Sequence, residues 1–390
     1  MLTTSEERLA LLRHQVREWA AEVRPFALEV DRDPSLATGL LHLPTVALAS
    51  RVQIPPPYND RPLSIKGEVF HVTGALERAV WCEEVAWGDL GIGLASPGAS
   101  MCGVLVEALG SEAQKRRFYG DLLERPTWTM FALTEPHTGS DPASLGSTFS
   151  RSDTGGIRLD GTKRFVSNAV RARFGAVFAR TGPGPYHIRA ALVDTSLPGY
   201  RAEPIPTIGV RAAQLGSVTL ESVELSEEHM LGSGLSSLRR GLWGWSRVLD
   251  VLRPTVAAMA VGLARAAYEY VCEHQAEPSR EDAARLARMA HEIDAVRHLT
   301  LSAAAAVDRN QENGHLASVA KLRAARLAVS VTRAAPAFFG AGGRIEHPLL
   351  DKYARDALAF EFMEGSQNVQ RLAVAGALTR GTLDPGAPVG

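Results

Sequence analysis

The stretch LDVLRPTVAAMAVGLARAAYEYVCEH, residues 249–274, has the apolar spacing of one long, alanine-rich helix. Two more helical stretches follow it, SREDAARLARMAHEIDAVRHLTLSAAAAVDRN (279–310) and ASVAKLRAARLAVSVTRAAPAFF (317–339). A fourth, DKYARDALAFEFME (351–364), runs towards the end of the chain. Helices this rich in alanine can pack closely as a bundle. Residues 237–390 are therefore predicted to form a C-terminal four-helix bundle.

Residues 1–125 also have a helical pattern. Thr4 and Glu7 form a capping box that opens the first helix, and a third helix begins at a similar box at Ser111. Between them, a second helical stretch is predicted from Val69 through Val80 to the tetrapeptide AWGD. This part of the chain is predicted to be an N-terminal helical domain.

Residues 126–236 differ from both flanks. Short β-type runs, such as TWTMFAL (127–133) and SVTLESVEL (217–225), are separated by turn dipeptides such as Asp-Gly and Pro-Gly. This alternation is expected for an antiparallel sheet or barrel. The fold class that follows is mostly α-helical with a central β domain.

The composition limits what the protein can bind and where it works. The 390 residues contain 42 Lys and Arg against 43 Asp and Glu, for a net charge of -1. That balance gives no electrostatic reason to bind nucleic acid or an anionic membrane. The N-terminus is acidic and amphipathic, unlike a signal peptide, and no apolar run is long enough to span a bilayer. Three distant cysteines, with no CxxC or HxxxH motif, predict a cytoplasmic protein without a metal site.

One carboxylate has an unusual setting. Glu364, in EFMEGSQNVQR (361–371), follows Phe362 and Met363 and precedes Gly365. An apolar slot raises the pKa of a carboxyl group, and a base with a pKa near neutrality is suited to proton abstraction. Judged from these residues alone, Glu364 is more often expected to be an exposed or capping glutamate at a helix end than a catalytic base.

Four stretches of the chain resemble one known family, the acyl-CoA dehydrogenase flavoproteins. ALTEPHTGSD (132–141) is similar to the family's TEPxxGSD signature, and GTKRFVSNAV (161–170) to its GxKxWITN strand. LDVLRPTVAAMAVGLA (249–264) resembles the start of its long interface helix. GGRIEHPLLDKYARDALAFEFMEGSQNVQRL (342–372) resembles its C-terminal block, which contains an EGT motif. The stretches occur in the family's order and at its usual spacing.

The resemblance implies an FAD-dependent α,β-dehydrogenation of an acyl thioester, carried by CoA or by an acyl carrier protein. In that reaction a base removes the α-proton and the β-hydride passes to flavin N5. Glu364 matches the glutamate of the EGT motif, which is the base in the family. Gly365, which follows it, is assigned to the substrate side.

The same resemblance assigns seven residues to the flavin. They are Phe131, Leu133, Thr134, Ser140, Phe165, Ser167 and Ser366. Phe165 stands where the family usually has Trp, and Ser167 and Ser366 stand where it has Thr. Each change keeps the chemical type, a flat apolar ring or a hydroxyl group. Ser140 is also assigned to the thioester tail of the substrate.

Arg253 lies where the family has an ER or TR pair, and it is assigned to the substrate side. A plainer alternative is an arginine in the N-terminal turn of a helix, beside the proline that follows it. Leu252 occupies the position where some relatives keep their base, so Glu364 is the candidate carboxylate from either location. Arg355 and Asp356 resemble a structural ion pair.

Two family motifs that bind the ADP half of FAD in a neighbouring subunit are missing. The turn in YVCEHQAEPSREDAARLA (270–287) is short and has no Arg-x-x-Phe-Gly, and Pro336 falls where a Gln precedes the GGxG block. Two explanations follow from this departure. The protein is a homodimer or homotetramer that binds FAD by a modified route, or it is one subunit of a heteromer whose partner supplies the contacts.

Three hypotheses of function remain at this stage. The first is the dehydrogenase, with an electron-transfer flavoprotein as electron acceptor. The second is an FAD-poor partner subunit of a heteromeric dehydrogenase. The third is a flavin-dependent oxygenase, which has no need for the base Glu364. The stretch VQIPPPYNDRPL (52–63) replaces the family's PxxYGGxG, which favours a specialised acyl group, as in secondary metabolism.

Overall fold

The computed structural model describes four ranges of the chain. They are residues 4–153, 155–275, 277–310 and 314–381. Among these residues, the N-terminal part contains six helices and one short hairpin. The helices are α1 (Ser5–Ala21), α2 (Ala27–Arg32), α3 (Pro44–Leu48), α4 (Ala75–Ala95), α5 (Ser100–Leu109) and α6 (Glu112–Glu124). The predicted capping boxes are present at Thr4 and at Ser111.

The second long helix begins later than the sequence pattern suggested. Val69 lies in a hairpin, β1 (Leu63–Ile65) and β2 (Glu68–Phe70), and α4 starts only at Ala75. The cause is the Lys66–Gly67 turn, in which both residues have positive φ, 49° and 87°. Two such residues form the tight turn that matches the twist of a hairpin. The helical prediction for Val69 is therefore wrong.

Eight strands of the described residues form one large sheet. They are β3 (Thr129–Ala132), β4 (Thr148–Arg151), β5 (Ile157–Val166), β6 (Phe174–Arg180), β7 (Ile188–Asp194), β8 (Tyr200–Pro204), β9 (Gly216–Leu225) and β10 (Met230–Leu231). The order β10-β7-β6-β4-β5-β9-β8 is antiparallel except where β6 meets β4, and β3 also runs parallel to β6. The predicted antiparallel sheet is confirmed, with these two parallel pairings added. The domain division at residues 125/126 and 236/237 stays a prediction.

The Asp-Gly pair of this region is a bulge inside β5 and not a turn between strands. The register of β5 against β9 shifts between Leu159 and Gly161, and Gly161 has φ of 148°. A Cβ atom at Gly161 would lie 2.2 Å from Ser147 Oγ, so only glycine allows the two strands to approach this closely. The approach brings Ser147 into the polar cluster described below.

The remaining helices form the predicted bundle. They are α7 (Leu242–His274), α8 (Arg280–Arg309), α9 (Gly314–Ala334), α10 (Gly343–Glu346), α11 (Pro348–Asp356) and α12 (Gln367–Thr379). Ser279 caps α8 by accepting a hydrogen bond from the Asp282 backbone N–H at 3.1 Å. The last predicted helix is interrupted: α11 gives way to a 3-10 turn, Ala357–Glu361, and the chain turns again before α12. The fourth member of the bundle is therefore a broken helix.

Helix α7 is the central element of the fold. It packs along α4 of the N-terminal part and along α8 and α9 of the bundle. Its first half shares a buried apolar cluster with the sheet, in which Val248 and Leu252 join Leu133. Helix α7 therefore contacts both the end of β3 and the bundle, and it links these two parts of the molecule.

Arg355 and Asp356 do not pair with each other, contrary to the sequence interpretation. Arg355 forms salt bridges with Asp31 at 2.8 Å and with Asp351 at 3.0 Å. Asp356 instead binds Lys352 at 2.6 Å. Successive residues of a helix point about 100° apart, so neighbours in sequence reach different partners.

Among the described residues, no single helix has both the length and the apolar composition needed to cross a bilayer. The bent pair Ala75–Ala95 and Ser100–Leu109 meets that test only when its two members are taken together.

Candidate active site

Glu364 lies at the break between the 3-10 turn and α12, in a rare backbone conformation. Its φ is +52°, and the φ of Gly365 is +93°. A left-handed residue other than glycine is uncommon and carries a free-energy cost. Such residues persist where the surroundings determine them, and they cluster at functional sites. The carboxyl group is thus presented from a turn whose shape must be held by its neighbours.

Two buried side chains hold this break. Gln370 Nε2 donates to the carbonyl oxygens of Glu364, at 2.9 Å, and of Gly365, at 3.2 Å. Lys321 Nζ, from α9, donates to the carbonyl oxygen of Gly365 at 2.8 Å. A Cβ atom at Gly365 would lie 2.8 Å from Gln370 Nε2, which explains why glycine follows the glutamate. The break is a fixed feature of the fold and not a frayed helix end.

The surroundings of Glu364 change the affinity of its carboxyl group for a proton. Its side chain is half-buried, and burial raises its pKa to about 7. The positive charges of Arg253, from α7, and Lys321 lower the pKa and oppose part of that rise. Phe362 is 74 % exposed, so it does not provide the apolar wall expected from the sequence. Met363 does pack against the bundle core.

Arg253 lies well inside α7 and not in its N-terminal turn, because the helix begins at Leu242. The plainer alternative from the sequence is therefore wrong about its position. Its guanidinium group is buried, donates to Asp250 Oδ1 at 3.2 Å, and interacts electrostatically with Glu364. This electrostatic interaction makes Arg253 a counter-charge to the carboxylate.

The residues predicted to hold the flavin gather mainly at the end of β3 and along β5. The Arg164 backbone N–H donates to the carbonyl oxygen of Thr134 at 2.8 Å, which joins the two segments directly. Phe165 follows with a ring that is 54 % exposed and a φ of +60°. Ser167 and Ser140 are also exposed. A bulky residue with positive φ is unusual and marks a candidate functional position, and the exposed face of its ring is open to a flat ligand.

The structure thus collects the predicted residues into two groups. Phe131, Leu133, Thr134, Phe165 and Ser167 lie on the sheet side, and Glu364, Gly365, Ser366 and Arg253 lie at the break in the bundle. Phe131 and Leu133 pack in the same apolar cluster as Leu252, the residue before Arg253. Helix α7 therefore connects the two groups. A cavity of about 690 Å³ opens beside the break and is lined by Arg326, Arg333, Glu361 and Gln367, among others.

Comparison with known proteins identifies the architecture. Models of the acyl-CoA dehydrogenase middle domain and C-terminal domain match residues 130–223 and 240–379. An acyl-CoA dehydrogenase of Bacillus subtilis is 31% identical over 291 residues, which cover 70% of this chain and 74% of that protein. The chain belongs to the acyl-CoA dehydrogenase family. It is an oxidoreductase acting on a CH–CH group, and the resemblance read from its sequence motifs is confirmed.

Solved structures agree with the assignment to the acyl-CoA dehydrogenase family. Butyryl-CoA dehydrogenase from Megasphaera elsdenii superposes with a TM-score of 0.82 at 26% identity, covering 97% of this chain and 100% of that one. The prolyl acyl carrier protein oxidase AnaB shares the fold, with a TM-score of 0.82, 22% identity and coverage of 97% and 100%. The predicted fold class is confirmed by this likeness and by the helices and strands described above.

The acyl-CoA dehydrogenase fold implies FAD, and the residues of this chain fit a flavin. Phe165 offers an exposed aromatic face, and the hydroxyl group of Ser366 is not used to cap α12. The stretch 132–141, which contains the TEPHTGSD motif, is called the signature loop below. In this loop, Thr138 Oγ1 is buried with no hydrogen-bond partner among the described residues. Buried polar atoms normally have partners, so this atom indicates a missing acceptor or donor at the loop.

The motif resemblance gave no role to Glu135 and Lys163, the glutamate of TEPHTGSD and the lysine of GTKRFVSN. Glu135 accepts hydrogen bonds from Gly146 N–H at 2.6 Å, from Ser147 N–H at 2.9 Å and from Ser147 Oγ at 2.6 Å. It also binds Lys163 Nζ at 2.8 Å. Burial opposes its charge, but Lys163 and these bonds lower the pKa of Glu135 to about 2. The pair fixes the signature loop against β5.

Lys321 and Gln370 were also missed. One signal was available: the chain has only five lysines, and three of them, Lys163, Lys321 and Lys352, are buried. In a chain that otherwise uses arginine, each buried lysine marks a site where a compact ammonium group is needed.

Proposed function

We propose that the protein is an FAD-dependent α,β-dehydrogenase of an acyl thioester, with Glu364 as the base. One observation supports the base above all others. Burial raises the pKa of Glu364 to about 7, its backbone is held in a left-handed break, and Leu252, the neighbour of the interacting Arg253, shares an apolar cluster with Leu133. A structural carboxylate would instead be expected to resemble Glu135, with its full set of hydrogen bonds.

The residues of the chain provide the proton chemistry. Near neutral pH about half of the Glu364 carboxyl groups are ionised and can accept the α-proton of the thioester. The guanidinium group of Arg253 and the ammonium group of Lys321 stabilise the carboxylate before it takes up the proton. We assign Gly365, Ser140 and Arg253 to the substrate side. Bound FAD would supply the acceptor, flavin N5, for the β-hydride.

The residues that would hold FAD come from both groups and from the loop between β3 and β4, which contributes Ser140. They are Phe131, Leu133, Thr134, Ser140, Phe165, Ser167 and Ser366. The usual arginine-containing turn for the ADP half is missing, since α7 ends at His274 and α8 begins at Arg280. We therefore propose a homodimer or homotetramer with a modified FAD contact, or a heteromer. An electron-transfer flavoprotein is the proposed electron acceptor. The acyl group is open, and the thioester carrier is CoA or a carrier protein.

An anaerobic titration of the purified yellow protein with a panel of thioesters tests this function. The panel contains short, branched and cyclic acyl groups, each on CoA and on a phosphopantetheinylated carrier protein. Bleaching of the oxidised flavin by at least one thioester supports the dehydrogenase. A flavin that NAD(P)H bleaches and no thioester does would contradict it and favour an oxygenase. A colourless protein that becomes active only with a second chain would favour the partner subunit.

A further inference from the structure

Lys321 carries an enclosed positive charge next to the proposed base. Its exposed fraction is 0 %, and its Nζ donates to the carbonyl oxygen of the residue that follows Glu364. Among the described residues, no carboxylate forms a salt bridge with this ammonium group. The two other buried lysines, Lys163 and Lys352, both do form such salt bridges. Lys321 is therefore arranged differently from a structural ion-paired lysine.

This arrangement is costly for the fold. Burial lowers the pKa of Lys321 to about 8, and the negative charges of Glu361 and Glu364 oppose that fall. A methionine would occupy a similar length without burying a charge. The ammonium group must therefore contribute something that an apolar side chain cannot, and the groups it interacts with are the carbonyl oxygen of Gly365 and the carboxylates of Glu361 and Glu364.

We propose that Lys321 is a positioning residue of the dehydrogenation, which holds the Glu364–Gly365 break in shape and favours the ionised form of Glu364. The proposal rests on the proposed function, because it assigns Lys321 a role through the base. The ammonium group does both tasks at once: it binds the carbonyl oxygen of Gly365, and its charge acts on the neighbouring carboxylate.

The other charged groups around Glu364 come from each element that packs there. Helix α7 contributes Arg253, which has the larger effect on the pKa of Glu364 but is shared with Asp250. The 3-10 turn contributes Glu361, which interacts with Lys321. Helix α12 contributes Gln367 and Gln370, which are neutral, and α9 also contributes Arg326 and Arg333, which line the cavity beside the break. Lys321 is thus a cation whose contact with the break is direct and whose charge is not taken up by a salt bridge.

The experiment replaces Lys321 with methionine in the full-length protein as purified. The titration of Glu364 is followed by infrared difference spectroscopy of its protonated carboxyl band, with Glu364→Gln in the same background as the reference. The pH dependence of anaerobic flavin bleaching is measured beside it. We expect the midpoint of Glu364 to rise by about one pH unit, and bleaching at pH 7 to slow about fivefold. Most of the rate returns at alkaline pH.

Gln370→Leu is the matched control, because it removes hydrogen bonds to the carbonyl oxygens of Glu364 and Gly365, the second of which Lys321 also binds, without removing a charge. We expect it to slow bleaching at every pH and to leave the midpoint of Glu364 in place. If Lys321→Met does not fold, Lys321→Gln provides the same loss of charge with a polar side chain, and the same rise is expected.

An unchanged midpoint in the lysine variants overturns the proposal, and so does an equal shift in Gln370→Leu. The infrared titration needs no substrate, so it separates two failures. If the midpoint moves but no thioester bleaches even the unaltered protein, the coupling of Lys321 to Glu364 stands and the proposed dehydrogenation does not.

Discussion

Two glutamates of this protein lie near a buried lysine, and the two sites behave in opposite ways. In the sheet, Glu135 contacts Lys163 directly at 2.8 Å and takes three further hydrogen bonds, so its pKa falls to about 2. At the break in the bundle, the ammonium group of Lys321 binds a backbone carbonyl instead. Burial then dominates, and the pKa of Glu364 rises to about 7.

The difference shows what separates a structural carboxylate from a proposed catalytic one. Glu135 has all of its acceptor capacity engaged, and it ties the signature loop to β5 as a permanent anion. Glu364 has cations near it, and we propose that its oxygens are left for a substrate proton. Both sites contain a glutamate and a buried lysine. The lysine donates to the carboxylate at one site and to a backbone carbonyl oxygen at the other, and this difference decides whether the pKa of the glutamate falls or rises.

The largest expected effect is on the sheet side. Glu135→Gln leaves the buried ammonium group of Lys163 without a counter-charge, which should lower the free energy of unfolding by about 3–5 kcal/mol. Chemical denaturation measures the change. The double variant Glu135→Gln/Lys163→Met should lose less than the sum of the two single variants, because no isolated charge remains. Additive losses would show that the pair does not act as a unit.

The two glutamates should also make stability respond to pH in opposite directions. Glu135 has a lowered pKa, so its contribution is present above the unfolded-state value near 4.3 and is lost as the pH falls towards 2. Glu364 has a raised pKa, so its contribution is present below that unfolded value and is lost as the pH rises through 7.

Glu364→Gln should therefore be more stable than the unaltered protein at pH 8, by about 1–3 kcal/mol, and nearly equal to it at pH 4. Denaturation curves of the two proteins at both pH values measure this. A variant that is less stable at pH 8 would show that the carboxylate is stabilised at the break and not strained by burial.

A smaller effect is expected at the exposed ring. Phe165→Ala removes the aromatic face on the sheet side and should weaken FAD binding by about tenfold, since an aromatic contact is worth about 0.5–1.5 kcal/mol. Titration of flavin-depleted protein with FAD measures the affinity. Phe165→Trp keeps a flat ring and should bind FAD normally. Equal FAD affinity of the unaltered protein, Phe165→Ala and Phe165→Trp would show that the flavin does not bind against this ring.

The smallest effect is expected for an ion pair on the protein surface. Arg201 and Glu221 face each other across β8 and β9, and both side chains are 60% exposed. Glu221→Gln should change the free energy of unfolding by about 0.5 kcal/mol or less. A loss as large as that of Glu135→Gln would show that burial does not distinguish the two pairs.

Much of the fold could be predicted from the sequence, because its helices carry local signals. The capping boxes at Thr4 and Ser111 and the alanine-rich period of α7 and α8 depend on neighbouring residues alone. The hairpin at Lys66–Gly67 was missed because the apolar period of α4 runs on into it, and only the glycine marks the turn. The bulge at Gly161 depends on the approach of another strand, which a local pattern cannot show.

The candidate site could be predicted only in part. Glu364 was found through the resemblance, but its strained backbone and its exposed neighbour Phe362 were not. Lys321 and Lys163 act over long sequence separations, 44 residues to Gly365 and 28 residues to Glu135. Such contacts exist only after the chain has folded. Lys163 stands at the lysine of the GxKxWITN resemblance, whereas the trace of Lys321 in the sequence is that lysine is rare in this chain.

The central claim is that Glu364 removes a substrate proton, and the pH dependence of flavin bleaching tests it most directly. The anaerobic rate is measured from pH 5 to pH 9 with the most active thioester of the panel, for the unaltered protein and Glu364→Gln. We predict a rate that rises with a midpoint of about 7 and a variant slower by about 10²–10⁴-fold. Equal rates in the two proteins, or a rate that does not depend on pH, would contradict the account.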